Sequence, residues 1–368
     1  MLRRNFLLLV VLTVLNGVAM YAQKTGCISG NCFTGTGTYV YSNGTRYEGQ
    51  SVKNERHGKG KYYYLDSAVY DGDWKHNVRQ GKGTLTLPNG AVYTGEFKND
   101  SITGQGTFKY SNGSEYTGTF LRGDRHGMGT CKYPGDSGTY TGEWKAGLRD
   151  GQGTCTYWDG GVYTGAWKED RRHGYGTARF SDTTAYDGNW ENDTINGQGT
   201  YTNTASDWKY TGMWKSGYRH GQGTVTLKSG ASYTGNWVMG EKTGYGTMVY
   251  DDGSKYEGEF LNADRNGHGT YFYASGAKYS GQWAMGKRNG DGRIEYPNGK
   301  VYDGNWENDS VTGEGRMTFP NGDVYVGGFR NGYFHGDGTY VTAAGAGTQA
   351  YWEDGKKVKK KKKKKSRS

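Results

Sequence analysis

The chain has 368 residues, 33% hydrophobic and 15% aromatic, with 66 glycines and a net charge of +10. That hydrophobic fraction is too small for several close-packed cores, while the aromatic content is too high for a disordered chain. Ten of the positive charges lie after residue 355 and two more are Arg3 and Arg4, which leaves residues 23–355 at −2 and excludes a basic nucleic-acid surface.

The first segment, residues 1–22, reads as a secretory signal peptide. Arg3 and Arg4 precede a Leu/Val-rich run from Phe6 to Met20, and Tyr21-Ala22-Gln23 supplies a cleavage site near Ala22. The run is shorter than the ~20 residues of a typical membrane-spanning helix. The expected location is therefore outside the cytoplasm: periplasmic, attached to the cell envelope, or secreted.

Residues 23–34 form a cap loop in which Cys27 and Cys32 bracket the sequence CISGNC. In an exported chain that spacing predicts a disulfide.

Residues 35–355 repeat. Tyr-x-Gly-x-aromatic begins at Tyr47, Tyr70, Tyr93, Tyr116, Tyr140, Tyr163, Tyr186, Tyr210, Tyr233, Tyr256, Tyr279, Tyr302 and Tyr325. Ten of the twelve intervals are 23 residues and two are 24. The closing residue is Trp or Phe except at Ser51, and each element is followed by a Gly-x-Gly pair such as Gly151 and Gly153. The segment YTGEFKNDSITGQGTFKYSNGSE, from Tyr93 to Glu115, shows one full period.

These motifs resemble the MORN repeat (membrane occupation and recognition nexus) over about nine tenths of the chain. The resemblance implies an all-β, elongated single-layer antiparallel sheet of successive β-hairpins, about thirteen full repeats with partial ones at the ends. In other proteins such arrays contact lipid, organise protein assemblies or precede catalytic domains, and no catalytic domain fits in this chain.

The residues give the same fold by themselves. After each Gly-x-Gly, alternate positions are apolar or aromatic, as at Phe108 and Tyr110, Tyr271 and Tyr273, and Met317 and Phe319. Thr, Lys or Arg mostly stand between them, the period-two pattern of a strand with one buried side. Tyr, Gly and Trp of the other strand share one parity, so one face is aromatic and the other wet. A glycine such as Gly165 costs roughly 0.5–1 kcal/mol in a strand. Its place between Tyr163 and Trp167 predicts a berth where a ring lies flat on the backbone.

The connection Ser111-Asn112-Gly113-Ser114 resembles a two-residue Asn-Gly hairpin, but that register sets Tyr116 opposite Lys109. An odd loop of three or five residues, with Gly113 left-handed, keeps Tyr116 on the face of Phe108 and Tyr110. The two 24-residue intervals place their extra residue in this connection, around Pro134–Thr139 and Asn203–Lys209. Cys131 and Cys155 occupy one slot in successive repeats, two strand spacings or ~9.5 Å apart, and are expected to stay unbridged.

Little here points to catalysis. Gly-x-Gly occurs without Gly-Lys-Ser/Thr or a following helix, so it is not read as a phosphate loop. His57, His126, His173, His220 and His335, in Arg-His-Gly or a similar context, are read as turn residues mostly ~19 Å apart, too far for a shared metal. No enzyme activity, cofactor, metal or small-molecule substrate is expected. Asp100-Ser101-Ile102, Asp193-Thr194-Ile195, Asp309-Ser310-Val311, Asp66-Ser67-Ala68 and Asp182-Thr183-Thr184 resemble a short bacterial O-glycosylation signal, in repeats already rich in Asp, Ser and Thr.

Residues 356–368 form a disordered lysine tail: Lys356, Lys357, Lys359, Lys360, Lys361, Lys362, Lys363, Lys364, Lys365 and Arg367. Such a run suits an anionic membrane or envelope surface. The function expected is an exported scaffold that associates with unidentified protein partners or with the envelope, tethered by this tail. The alternative is a module that binds glycans or lipid headgroups on its aromatic face, through Tyr140, Trp144, Tyr163, Trp167, Tyr186, Trp190, Tyr210, Trp214, Tyr233 and Trp237.

Overall fold

The computed structural model describes residues 24–359. The signal segment and Lys360 to Lys365 with Arg367 lie outside the described residues. Among the described residues there are thirty β-strands, one short 3-10 turn at Pro134–Asp136, and no α-helix. The chain forms two compact units, one up to Arg125 and one from His126 onward. Within each, every strand pairs antiparallel with the next in sequence, as Val162–Lys168 pairs with Arg171–Arg179.

Two kinds of turn alternate. In the first, two residues with positive φ join the strands, as Glu169 (φ 49°) and Asp170 (φ 67°) do between Lys168 and Arg171. This mirror-image turn matches the right-handed twist of the strands it joins. The second is the odd connection expected from parity. The Tyr110 N–H donates to the Ser114 carbonyl at 2.8 Å, the Gly113 N–H to the Tyr110 carbonyl at 3.0 Å, and Gly113 has φ 87°. Phe108 consequently stands opposite Tyr116, and the aromatic parity is preserved. Both extra residues fall in this second connection and leave Cys131 opposite Tyr140 and Tyr201 opposite Tyr210.

In the full repeats the first hairpins carry a bulge. Gly165 stands opposite Gly176 and Trp167 opposite Arg172, so Ala166 alone faces three residues, His173 to Tyr175. Arg-His-Gly is thus strand and bulge sequence, not the turn expected for it: His57, His173 and His220 lie within Glu55–Tyr63, Arg171–Arg179 and Tyr218–Leu227. The turn proper is completed one residue before the arginine, which frees the histidine for the bulge. Bulges leave ladder groups unpaired, and side chains fill the gap. The Gln152 N–H donates to Glu143 at 2.7 Å, and the Lys82 N–H to Asp73 at 2.9 Å.

Both ends are more ordered than the sequence suggests. The cap loop contains the strand Gly26–Gly30, paired with Gly35–Val40, and the first tail residues, Lys356–Val358, pair with Gly347–Glu353. An unpaired strand edge recruits neighbours, and a short, lysine-rich final strand blunts it.

Candidate functional site

The aromatic face is built from one residue interaction used repeatedly. Tyr163 lies flat over Gly165 and Gly176, and its hydroxyl donates to the Ala166 carbonyl in the bulge at 2.9 Å. A Cβ on Gly176 would stand 2.5 Å from Tyr163 Cζ, and one on Gly165 would stand 2.8 Å from its oxygen. The ring in each glycine berth therefore belongs to the same repeat's tyrosine. The same bond recurs from Tyr140 to Glu143 at 3.0 Å, Tyr186 to Asn189 at 3.0 Å and Tyr210 to Met213 at 3.0 Å. Burial pushes the Tyr163 phenol up to about 12, against a smaller opposing pull from Arg172.

Tryptophan joins one repeat to the next. Tyr163 meets Trp167 at 5.2 Å and Trp190 at 5.5 Å, edge to face in both cases. Trp190 Nε1 donates across the repeat boundary to the Gly176 carbonyl at 3.1 Å. In the second unit these contacts run unbroken from Tyr140 to Trp352, where Trp352 takes the closing-aromatic slot. In the first they run from Tyr47 to Phe120. Such pairs add about 0.5–1.5 kcal/mol each beyond burial.

The ten rings proposed as a binding surface are therefore internal. Tyr140, Tyr163, Tyr186, Tyr210 and Tyr233 are 0% exposed, and Trp144, Trp167, Trp190, Trp214 and Trp237 between 2% and 8%. Opposite them the wet face carries a row of hydroxyl pairs, among them Thr154 with Thr164 and Thr224 with Thr234.

The sequence reading missed the arginine. Arg172 stacks over Trp190 at 4.2 Å and bonds Asp193, as Arg149 stacks over Trp167 and bonds Asp170. The signal was present as an Arg and an Asp 21 residues apart, but without the bulge their registers do not meet. Asp100, Asp193 and Asp309 of the glycosylation-like triplets all bond arginines in this way, while Asp66 and Asp182 accept from turn N–H groups.

Cys27 and Cys32 form a disulfide with Cα atoms 5.9 Å apart. Cys131 and Cys155 are reduced and buried, both opposite Tyr140 on either side of its strand. Burial raises the Cys155 thiol above its usual range. Of the tail cations, Lys356 and Lys357 belong to the final strand and Lys359 follows it.

The MORN repeat model matches fourteen consecutive stretches, from 33–46 and 47–68 to 302–324 and 325–346. The chain belongs to the MORN repeat family. No curated protein matches it. Several solved structures are similar to this MORN chain at low level. The TCP domain of Drosophila melanogaster SAS-4 (dCPAP), in complex with a proline-rich motif of Ana2, is 14% identical, with 43% of this chain and 86% of that one covered and a TM-score of 0.29. The TCP10 domain of Danio rerio CPAP is 13% identical over 86% of this chain and 99% of that one, with a TM-score of 0.18. Virginiamycin B lyase from Staphylococcus aureus is 8% identical over 89% and 87%, with a TM-score of 0.14. Similarities this low bear on neither shape nor activity.

Proposed function

We propose that this MORN protein is an exported, non-enzymatic scaffold that associates with protein partners or with an envelope or membrane surface, with the lysine tail as an electrostatic tether. The observation that carries the reading is the edge-to-face ladder. Because within each unit a tyrosine such as Tyr163 touches the tryptophan or phenylalanine of its own repeat and of the next, repeats are supported by their neighbours, the coupling expected of a linear array that bears load. Burial of the ten rings leaves them little surface to offer a glycan or headgroup, which favours a scaffold over an aromatic platform. The Leu/Val-rich run behind Arg3 and Arg4 supports export.

The tether is tested by sedimenting the full chain, and a chain lacking residues 359–368, with vesicles of phosphatidylcholine and phosphatidylserine. Each lysine near an anionic surface contributes about 1 kcal/mol. The full chain should sediment at low salt and be released at high salt, and the shortened chain should stay in solution. Equal sedimentation of both chains would refute the tether.

A further inference from the structure

At eight positions of the array, the residue in the arginine slot and its backbone-bonded partner in the next tight turn change together. Arg79, Arg149, Arg172 and Arg288 meet Asp100, Asp170, Asp193 and Asp309. Where the slot holds Ile102, Ile195, Val311 or Phe334, the partner bonded to its carbonyl is Gly123, Gly217, Gly332 or Gly355. In these eight slots a cation comes with a carboxylate and an apolar residue with none, while at Arg56 the amide of Asn77 takes the place of the acid.

Three consecutive slots hold a cation whose turn supplies no acid, a combination the sequence also has at Arg125 with Ala146-Gly147. Arg219, Lys242 and Arg265 are followed by Gly240, Ala263 and Gly286, whose N–H groups bond their carbonyls at 3.0, 3.1 and 3.0 Å. Arg219 Nη2 reaches only the Gly240 carbonyl, at 2.9 Å, and Lys242 Nζ lies 3.9 Å from the Met248 sulfur. At Arg265 the flank is filled, with Tyr271 and Trp283 at 5.0 and 4.3 Å from the guanidinium. At Arg219 the tryptophan side is filled likewise, with Trp237 4.1 Å from the guanidinium, but the side that Tyr271 covers at Arg265 has no ring at Arg219 or Lys242. The flanking positions that elsewhere hold Phe108 and Tyr110, or Tyr271 and Tyr273, are here Val225 and Leu227, with Met248 on the next repeat. An opening of about 300 Å³ results, lined by these apolar side chains, Trp237 and the two cations.

We propose that this opening binds an organic monoanion with an apolar body, its oxyanion seated between Arg219 and Lys242 and its body against Val225, Leu227 and Met248. Two half-buried cations beside one exposed carboxylate, Glu241, are incompletely balanced, and a ligand oxyanion supplies what Asp170 or Asp193 supplies elsewhere. Guanidinium geometry suits a planar carboxylate, and the apolar lining favours a hydrocarbon body. Glu241, exposed at the same rim, leaves one net positive charge, which matches a monoanion better than a dianion. The protonation equilibria agree with this picture. Burial lowers Arg219 and lowers Lys242, the latter with help from the Arg219 charge, whereas at Arg149 burial, the largest single effect, is outweighed by the bond and charge of Asp170 together with Tyr133 and Cys155, and the net shift is upward.

This site does not depend on the scaffold reading, and its test is separate. The full chain is titrated with decanoate, decanol and inorganic phosphate, and followed by calorimetry and tryptophan fluorescence. Decanoate should bind saturably at one site, with decanol and phosphate at least roughly tenfold weaker. In Gly240→Asp/Ala263→Asp the internal carboxylates are restored. Gly240 and Ala263 have φ of 89° and 70°, near the 67° at which Asp193 already sits. Decanoate affinity should fall roughly tenfold or more, while the melting temperature holds or rises. Should that variant not fold, Arg219→Met/Lys242→Met is read in its place and should lose binding likewise. Unchanged affinity in the folded variant, equal binding of decanol or phosphate, or no saturable binding of decanoate would overturn the site.

Discussion

Arg172 and Asp193, 21 residues apart, are joined backbone to backbone and side chain to side chain. Asp193 Oδ1 accepts from the Arg172 backbone N–H at 3.0 Å and from its Nε at 3.1 Å. The Asp193 carbonyl accepts from Nη2 at 3.0 Å, and its N–H donates back to the Arg172 carbonyl at 3.0 Å. One residue pair thus fastens a tight turn to the preceding repeat while the guanidinium covers Trp190.

This pair should behave as a unit. Asp193→Gly removes an acceptor from a mostly buried guanidinium, and Arg172→Ile removes the donor; each should cost about 1 kcal/mol. The double variant recreates the natural Ile195–Gly217 combination. It should therefore lose less than the sum of the two, with a coupling of about 0.5–3 kcal/mol in a denaturation cycle. Strict additivity would show that the pair is incidental.

The glycine berth sets a second expectation. Gly176→Ala drives a methyl into the Tyr163 ring, which has no room to retreat between Trp167 and Trp190. A loss of about 1–3 kcal/mol is expected from such overpacking. Gly347→Ala, whose added Cβ meets nothing within 4 Å, should stay within about 0.5 kcal/mol of the parent. Equal effects in urea titrations would contradict the berth.

Trp190→Ala removes a ring 4% exposed that touches tyrosines of two repeats and bonds the Gly176 carbonyl. The expected cost is about 3–5 kcal/mol. Hydrogen exchange should accelerate in both flanking hairpins, where a local defect would affect only the hairpin carrying the substitution.

High pH should unfold the array cooperatively. Burial holds the phenols of Tyr93, Tyr163, Tyr210 and Tyr233 at about 12, whereas an unfolded tyrosine ionises near ~10. Stability from these groups is complete below the unfolded value and is lost as pH climbs from about 10 through about 12, because the unfolded chain releases protons first. Phenolate absorbance and the strand signal in circular dichroism should change together across that window. Phenolate appearing with the strand signal intact would mean the rings are accessible.

The period of 23 residues, the shared parity of Tyr163, Gly165 and Trp167, and the odd connection around Gly113 were all legible in the sequence, because each depends on spacing along a strand or on local turn geometry. The unbridged state of Cys131 and Cys155 followed from the same spacing. Which ring fills the berth was not legible: Tyr163 folds back over its own Gly165 because the bulge places the Ala166 carbonyl under its hydroxyl.

Tertiary structure alone decided the rest. The two unequal arms of the bulge bring Arg172 beside Asp193 and turn Arg-His-Gly from a supposed turn into strand, a shift that linear spacing conceals. Only in that register do Arg219 and Lys242 come together at one apolar opening with no acid in their turns. Repetition along one chain fixes which residues share a face, whereas contacts between neighbouring strands fix which charges are satisfied, since electrostatic balance depends on distance in space.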